Sequence, residues 1–140
     1  ILILEPRRLA ARAAAERMAA TLDQPPSGTV GYRMRGESRI GPTTRIEVVT
    51  EGVFTRMIQS DPDLPGVGAV IFDEFHERAI VSDLGLALTL DARAALRPDI
   101  LVLVMSATLD AAPVATLMDD APVVTSDGRS FPVTLHWLGR

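Results

Sequence analysis

Four short apolar runs punctuate the chain: Ile1–Leu4, Ile46–Val49, Ala69–Phe72 and Leu101–Val104. They are rich in Ile, Val and Leu and do not alternate with polar residues, which predicts strands buried on both faces of a parallel sheet. Helical patterns lie between them. Pro6 suits a first helical turn. After it, Leu9, Ala13, Met18 and Leu22 recur at helical spacing in an alanine-rich stretch, which predicts a helix with those residues inward. Glu51 to Gln59 predicts a shorter helix with Val53 and Met57 inward and Phe54 as the next candidate. Asp83 to Leu96 predicts a third, with Leu84, Ala87, Leu88 and Ala95 on one face. Asp110 to Met118 predicts a fourth, with Asp110 placed to complement its N-terminus. Gly28 to Arg33 reads as an extra strand, followed by a turn over Gly36 to Thr43. Asp61 to Gly68 is a Pro/Gly-rich loop, and Val123–Thr125 and Pro132–Trp137 are late strand candidates. Strands alternating with helices imply right-handed crossovers and a three-layer α/β fold with a mainly parallel sheet. There is no internal repeat.

Open parallel sheets bind ligands at the carboxyl ends of their strands. The residues just after each run are Glu5-Pro6-Arg7-Arg8, Thr50-Glu51-Gly52, Asp73-Glu74-Phe75-His76 and Ser106-Ala107-Thr108, and the fold predicts that all four sets gather on one edge. Composition narrows what that edge can do. At 140 residues, 47% apolar and 23% charged, the chain has the size and make-up of one globular domain. Its longest apolar run, Ile100 to Met105, is too short to span a bilayer. There are no cysteines, which excludes disulfides, thiolate catalysis and cysteine-held metals. His76 and His136 are the only histidines, too few for a histidine-rich metal site. All 14 basic residues are arginine. Without a lysine the chain can complete neither a Schiff base nor the lysine of a phosphate loop. The net charge is −4, unevenly spread: residues 1–45 carry 8 arginines against 4 acids, and residues 46–140 carry 6 against 14. A chain that opens inside a strand, with no leader pattern, reads as an internal segment of a longer cytoplasmic protein that has no membrane partner.

The segment A-V-I-F-D-E at 69–74 has the form of a Walker B strand: a buried strand ending in two acids. Asp73 suits a magnesium ion held largely through water, and Glu74 suits activation of a water that attacks a γ-phosphate. The plainer alternative is that the two acids cap the next helix. The string does not stand alone. D-E-F-H-E-R at 73–78 resembles motif II of the DEAH-box helicases of superfamily 2. P-R-R-L-A-A-R at 6–12 resembles their motif Ia, T-E-G-V-F-T-R at 50–56 their motif Ib, and S-A-T at 106–108 their motif III. Phe75, where the family has alanine, and V-G-Y-R-M-R-G-E-S-R at 30–39 resemble the bacterial HrpB-type subgroup of these RNA helicases.

The resemblance implies that residues 1–140 are part of the first of two RecA-like domains. It implies a phosphate loop just before Ile1 and a second RecA-like domain, with an arginine finger, after Arg140. The cofactors implied are ATP and Mg2+. Asp73 would hold the metal, Glu74 would act on the attacking water, and His76 would link the ATP site to motif III through Ser106 and Thr108. Arg7 and Arg8 would grip the nucleic-acid backbone with guanidinium forks suited to phosphate. Thr50 and Gly52 would offer a hydroxyl and backbone N–H groups to phosphates at a helix start. Thr55 and Arg56 are weaker candidates for the same surface. Glu77 and Arg78 would orient neighbours. Arg33, Arg35 and Arg39 form a basic string that follows RNA on one reading and is a solvated loop on the other. The implied activity of the parent is ATP-dependent translocation along, or unwinding of, RNA, with single-stranded nucleic acid as partner; the isolated segment, lacking the lysine, is expected to be inactive. Two alternatives stay open: a DNA or dual-substrate helicase, and a non-catalytic nucleic-acid-binding module that keeps the fold.

Overall fold

The apolar runs become strands of one sheet in the computed structural model, which describes residues 1–107, 111–126, 128, 133 and 134. Strands β1 (Leu2–Glu5), β4 (Ile46–Thr50), β5 (Ala69–Phe72) and β6 (Leu101–Val104) fall where the runs predict, and β2 (Val30–Met34) is the expected extra strand. The turn expected over Gly36 to Thr43 contains a further strand, β3 (Glu37–Arg39), paired antiparallel to β2. Its residues are polar because it is an outer strand, so it carries no hydrophobic pattern. Gly31 permits this hairpin: a Cβ there would lie 2.4 Å from the carbonyl oxygen of Arg39. The strand order is β3-β2-β4-β1-β5-β6, and every pairing except β2 with β3 is parallel.

Helix α1 (Arg8–Thr21) links β1 to β2, α2 (Glu51–Ser60) links β4 to β5, and α3 (Ile80–Ala95) links β5 to β6 after a 3-10 turn at Phe75–Glu77. The first connection crosses the sheet in one direction and the other two in the opposite direction. Right-handed crossovers therefore place α1 on one face and α2 and α3 on the other. The register agrees. Val48 and Tyr32 are paired in one row and pack with α1, with Ile3 in the same row, whereas Phe72, in the row of Leu4 and Val49, meets Phe54 of α2.

Two helix faces differ from expectation. On α1 the buried residues are Ala11, Ala15 and Ala19, while Leu9 is 83% exposed and Leu22 is exposed. Tyr32 and Met34 of β2 fill the space beneath, so small side chains face the sheet and let the helix approach closely. On α3, which starts at Ile80 and not at Asp83, Ser82, Gly85, Leu86, Thr89 and Ala92 are buried, and Leu84, Ala87 and Ala95 are exposed. Gly85 sets that rotation: a Cβ there would lie 3.3 Å from the Phe72 ring, so the residue is the point of closest approach to the aromatic cluster. On α2, Phe54 and Ile58 are fully inward and Val53 and Met57 are half-buried. Strand β6 is not buried on both faces. Leu101 and Leu103 are exposed because α1, which covers that side, packs on β1, β2 and β4 and does not extend to β6.

Arg97 ties down the loop 61–68. Arg97 donates to the carbonyl oxygens of Leu64 (3.1 Å) and Val67 (2.9 Å), and its guanidinium is fixed by Asp99. The chain divides into two compact units, Ile1–Leu109 and Asp110–Arg140. The sheet belongs to the first. The second contains α4 (Ala111–Leu117), where a helix is expected over Asp110 to Met118. Val123–Thr125 forms no strand. Asp110 and the strand expected over 132–137 lie outside the described residues, as does His136.

Candidate functional site

The described residues of the four polar sets line one edge. Glu5 at the end of β1 is the register partner of Thr50 at the end of β4, and Phe72 at the end of β5 lies between Leu4 and Val104. Backbone hydrogen bonds extend the alignment past the strands. The Asp73 N–H donates to the Leu4 carbonyl (3.1 Å), the Met105 N–H to the Phe72 carbonyl (2.8 Å), and the Phe75 N–H to the Met105 carbonyl (3.1 Å). Asp73 and Glu74 thus leave a strand held on both sides.

The chain turns sharply there. Glu74 and Arg78 flank the 3-10 turn, both in the left-handed region, with φ of 51° and 52°. Side-chain-bearing residues pay of order 1–3 kcal/mol for that conformation, and such residues concentrate at functional sites. Burial of Phe75 beneath the turn, edge-on to Phe72 with centroids 6.3 Å apart, supplies the compensating contact. Phenylalanine at this position therefore acts as an anchor. The Glu74 N–H donates to Asp73 Oδ1 (2.8 Å), which orients the Asp73 carboxylate.

His76 bridges two strand ends. The Ala107 N–H donates to its Nδ1 at a long 3.5 Å, and its Nε2 faces Glu74 Oε2 at 3.2 Å. The resemblance implies a link to the segment after β6 through Ser106 and Thr108. The contact seen here uses the backbone of Ala107 between them, and Thr108 lies outside the described residues. Ser106 is exposed.

The nucleic-acid candidates sit along the same edge. Arg7 precedes α1 and Arg8 is its first residue, both exposed. Arg7 is engaged: its Nη2 lies 2.5 Å from Glu77 Oε1. Thr50 is the residue before α2, but its hydroxyl makes no cap bond, so capping does not account for it. Gly52 is exposed, and a side chain there would meet nothing within 4 Å. Behind them, Ser82 Oγ donates to Glu51 Oε1 and ties α3 to the start of α2. The basic string is partly committed elsewhere. Arg33 pairs with Glu47 (2.7 Å) and is half-buried, while Arg35 and Arg39 are exposed on the β2–β3 hairpin.

Glu5 is the residue the sequence did not single out. It is 6% exposed beneath the edge. Burial foremost, then the charge of Asp73 and a hydrogen bond to it, then Glu74 and Glu77, push its carboxyl from 4.5 up to about 7. Between those two values the folded chain holds a proton that the unfolded chain has lost, so stability falls as pH rises through that window. Glu5→Gln should remove this slope. Without metal, its melting temperature should match wild type near pH 5 and exceed it near pH 8. Parallel pH profiles for the two proteins would show that Glu5 is solvated.

Among the described residues no group of three or more His, Cys, Asp or Glu side chains is arranged to hold a metal ion, and no helix is long and apolar enough to cross a membrane.

No family model matches the chain. Individual proteins do. The chain is 59% identical over 138 residues to the ATP-dependent RNA helicase HrpB of Escherichia coli, 40% identical over 138 residues to the putative ATP-dependent RNA helicase DHX57 of Homo sapiens, and 35% identical over 135 residues to the ATP-dependent RNA helicase HrpA of Escherichia coli. Those matches take in 95–99% of this chain but only 10–17% of the relatives, so it spans a small fraction of their length. Two crystal structures of Escherichia coli HrpB, one described as a DExH-box NTPase and the other as a DEAH/RHA helicase, superpose with TM-scores of 0.88 and 0.89 at 60% identity. They cover 94% of this chain and 16–17% of those chains.

Proposed function

We propose, for a chain that belongs in sequence and fold to the DEAH-box helicases, that it forms the magnesium and water-activating half of an ATP site and the adjoining part of a nucleic-acid groove in an RNA helicase. The observation that carries this reading is the held turn after β5, where Asp73 and Glu74 emerge beside the ends of β1 and β6. Magnesium bound chiefly through nucleotide phosphates needs only one or two carboxylates and keeps several waters. Asp73, its orientation set by the Glu74 N–H, suits that role. When bound, magnesium–ATP supplies the reacting phosphoryl group and its charge neutralisation.

The residues of this chain then divide the remaining work. Glu74 orients the attacking water and accepts its proton. His76, whose Nε2 faces Glu74 and whose Nδ1 is met by Ala107, fixes that carboxylate relative to the segment after β6. Arg7, Arg8, Thr50 and Gly52 contact the sugar–phosphate backbone of a single strand. Such contacts position without reading sequence. The phosphate loop, and the lysine absent from this chain, come from the parent upstream. The outer edge of β6, unpaired among the described strands, is open to a further parallel strand. The second RecA-like domain would close over the site from downstream.

Arg8→Ala in the full-length parent should weaken binding of single-stranded RNA about uniformly across sequences and lower the slope of log K against log salt by about one unit or less. Fluorescence polarisation of labelled homopolymers over a salt series measures both. Unchanged affinity and slope would remove α1 from the groove. Unwinding of matched RNA and DNA duplexes distinguishes an RNA enzyme from a DNA or dual one.

A further inference from the structure

We infer that Glu77 is an internal competitor for Arg7, holding that guanidinium away from the nucleic-acid backbone until a phosphate displaces it. The inference rests on the proposed groove but concerns a residue outside it. Arg7 Nη2 and Glu77 Oε1 are 2.5 Å apart, and the two residues are separated by 70 positions in sequence. The pair is built on two rigid supports. Arg7 is the extended residue just before α1, and Glu77 ends the 3-10 turn that follows Asp73 and Glu74, fixed by its own N–H donating to the Glu74 carbonyl (2.9 Å). Arg7 is therefore bonded to the turn that carries the two site acids.

The chemistry of exchange follows from the groups. A carboxylate and a phosphate both take charge-assisted N–H bonds from a guanidinium, and Glu77 occupies the Nη2 end of Arg7, so a phosphate that reaches that end displaces it. The Arg7 side chain is 72% exposed, so a backbone phosphate can reach it; the Glu77 side chain is 28% exposed and stays with the turn. An exposed ion pair of this kind shifts an equilibrium by at most about fivefold, weak enough for a polyanion to displace. Displacement returns an uncompensated carboxylate to an edge that already holds Glu5, Asp73 and Glu74. Arrival of the strand is thereby felt at the turn that carries the site acids, with no other element required to move.

The test is a double-mutant cycle in the full-length parent: wild type, Arg7→Ala, Glu77→Gln and the double variant. Each is titrated with a labelled oligouridine without nucleotide at several salt concentrations, and each is assayed for ATP turnover against RNA concentration. Glu77→Gln should tighten RNA binding by about two- to fivefold. It should lower the RNA concentration for half-maximal turnover by the same factor, and leave turnover at saturating RNA unchanged. Both shifts should vanish when Arg7 is alanine. Equal tightening in the Arg7→Ala background would show only a bulk charge effect and overturn the proposal. Unchanged or weaker binding by Glu77→Gln would overturn it as well. Failure of the wild-type parent to bind RNA is a separate result and removes the groove itself, and the competition with it.

Discussion

Glu74→Gln in the full-length parent is expected to keep nucleotide affinity within a few-fold of wild type while kcat falls by about two orders of magnitude or more, the scale of a lost general base. The amide matches the carboxylate in size and can still meet His76 Nε2, 3.2 Å away in the wild-type chain, through its carbonyl oxygen. It cannot take a proton from water. The left-handed conformation at residue 74 (φ 51°) is a backbone property and carries over to glutamine without added strain beyond that already present. Asp73 keeps its charge and its bond from the N–H of residue 74, so magnesium binding should persist. Asp73→Asn should behave differently and weaken magnesium-dependent ATP binding itself. Nucleotide titration and single-turnover hydrolysis at saturating magnesium separate the two variants. Wild-type hydrolysis by Glu74→Gln would reduce this carboxylate to a turn residue.

The sheet was legible because most of its strands are short, apolar runs: Ala69–Phe72 inside the sheet and Leu101–Val104 at its end are found at the bounds their sequence predicts. The edge was legible for the same reason, since the carboxyl end of each run marks it. Helix rotation was not. Periodicity weights large apolar residues, and on α1 the sheet beneath is already filled by Tyr32 and Met34, so the alanines turn inward and Leu9 outward. On α3 a glycine decides the same question, by contact with Phe72. Strand β3 was hidden because Glu-Ser-Arg carries no apolar residue. Within the site, Asp73, Glu74 and His76 emerge together on one held turn. Two features needed coordinates. Glu5 reads as one more polar residue after a strand, and only its burial beside Asp73 makes it unusual. The partner of Arg7 lies 70 positions away, and nothing local in either segment announces it.

Phe72→Ala should cost about 3–5 kcal/mol of folding free energy, the range for removing a buried aromatic side chain. Phe72 is 1% exposed and ends β5. Its ring stands edge-on to Phe54 of α2, with centroids 6.0 Å apart at 87°, and to Phe75 of the turn, 6.3 Å apart at 82°. Gly85 brings α3 to the same ring. Alanine would leave a cavity bordered by α2, α3 and the turn, and three separate backbone segments would have to shift together to close it. Relaxation is therefore limited, which places the cost toward the upper end. Native domains are stable by only about 5–15 kcal/mol, so the loss takes a large share of the total. Urea unfolding of the full-length parent, followed by a probe in this domain, measures it. A change below about 1 kcal/mol would show that the cluster does not carry the fold. The neighbouring site supplies a second readout. Asp73 follows Phe72 directly, and Phe75 loses the ring that it packs against. Magnesium-dependent nucleotide binding should therefore weaken in Phe72→Ala, at temperatures where the domain is still folded. Phe72→Leu, which keeps an apolar branch in the gap, should recover much of both. Recovery of stability without recovery of binding would mean that the aromatic edge contacts, and not the filled volume, hold the turn in place.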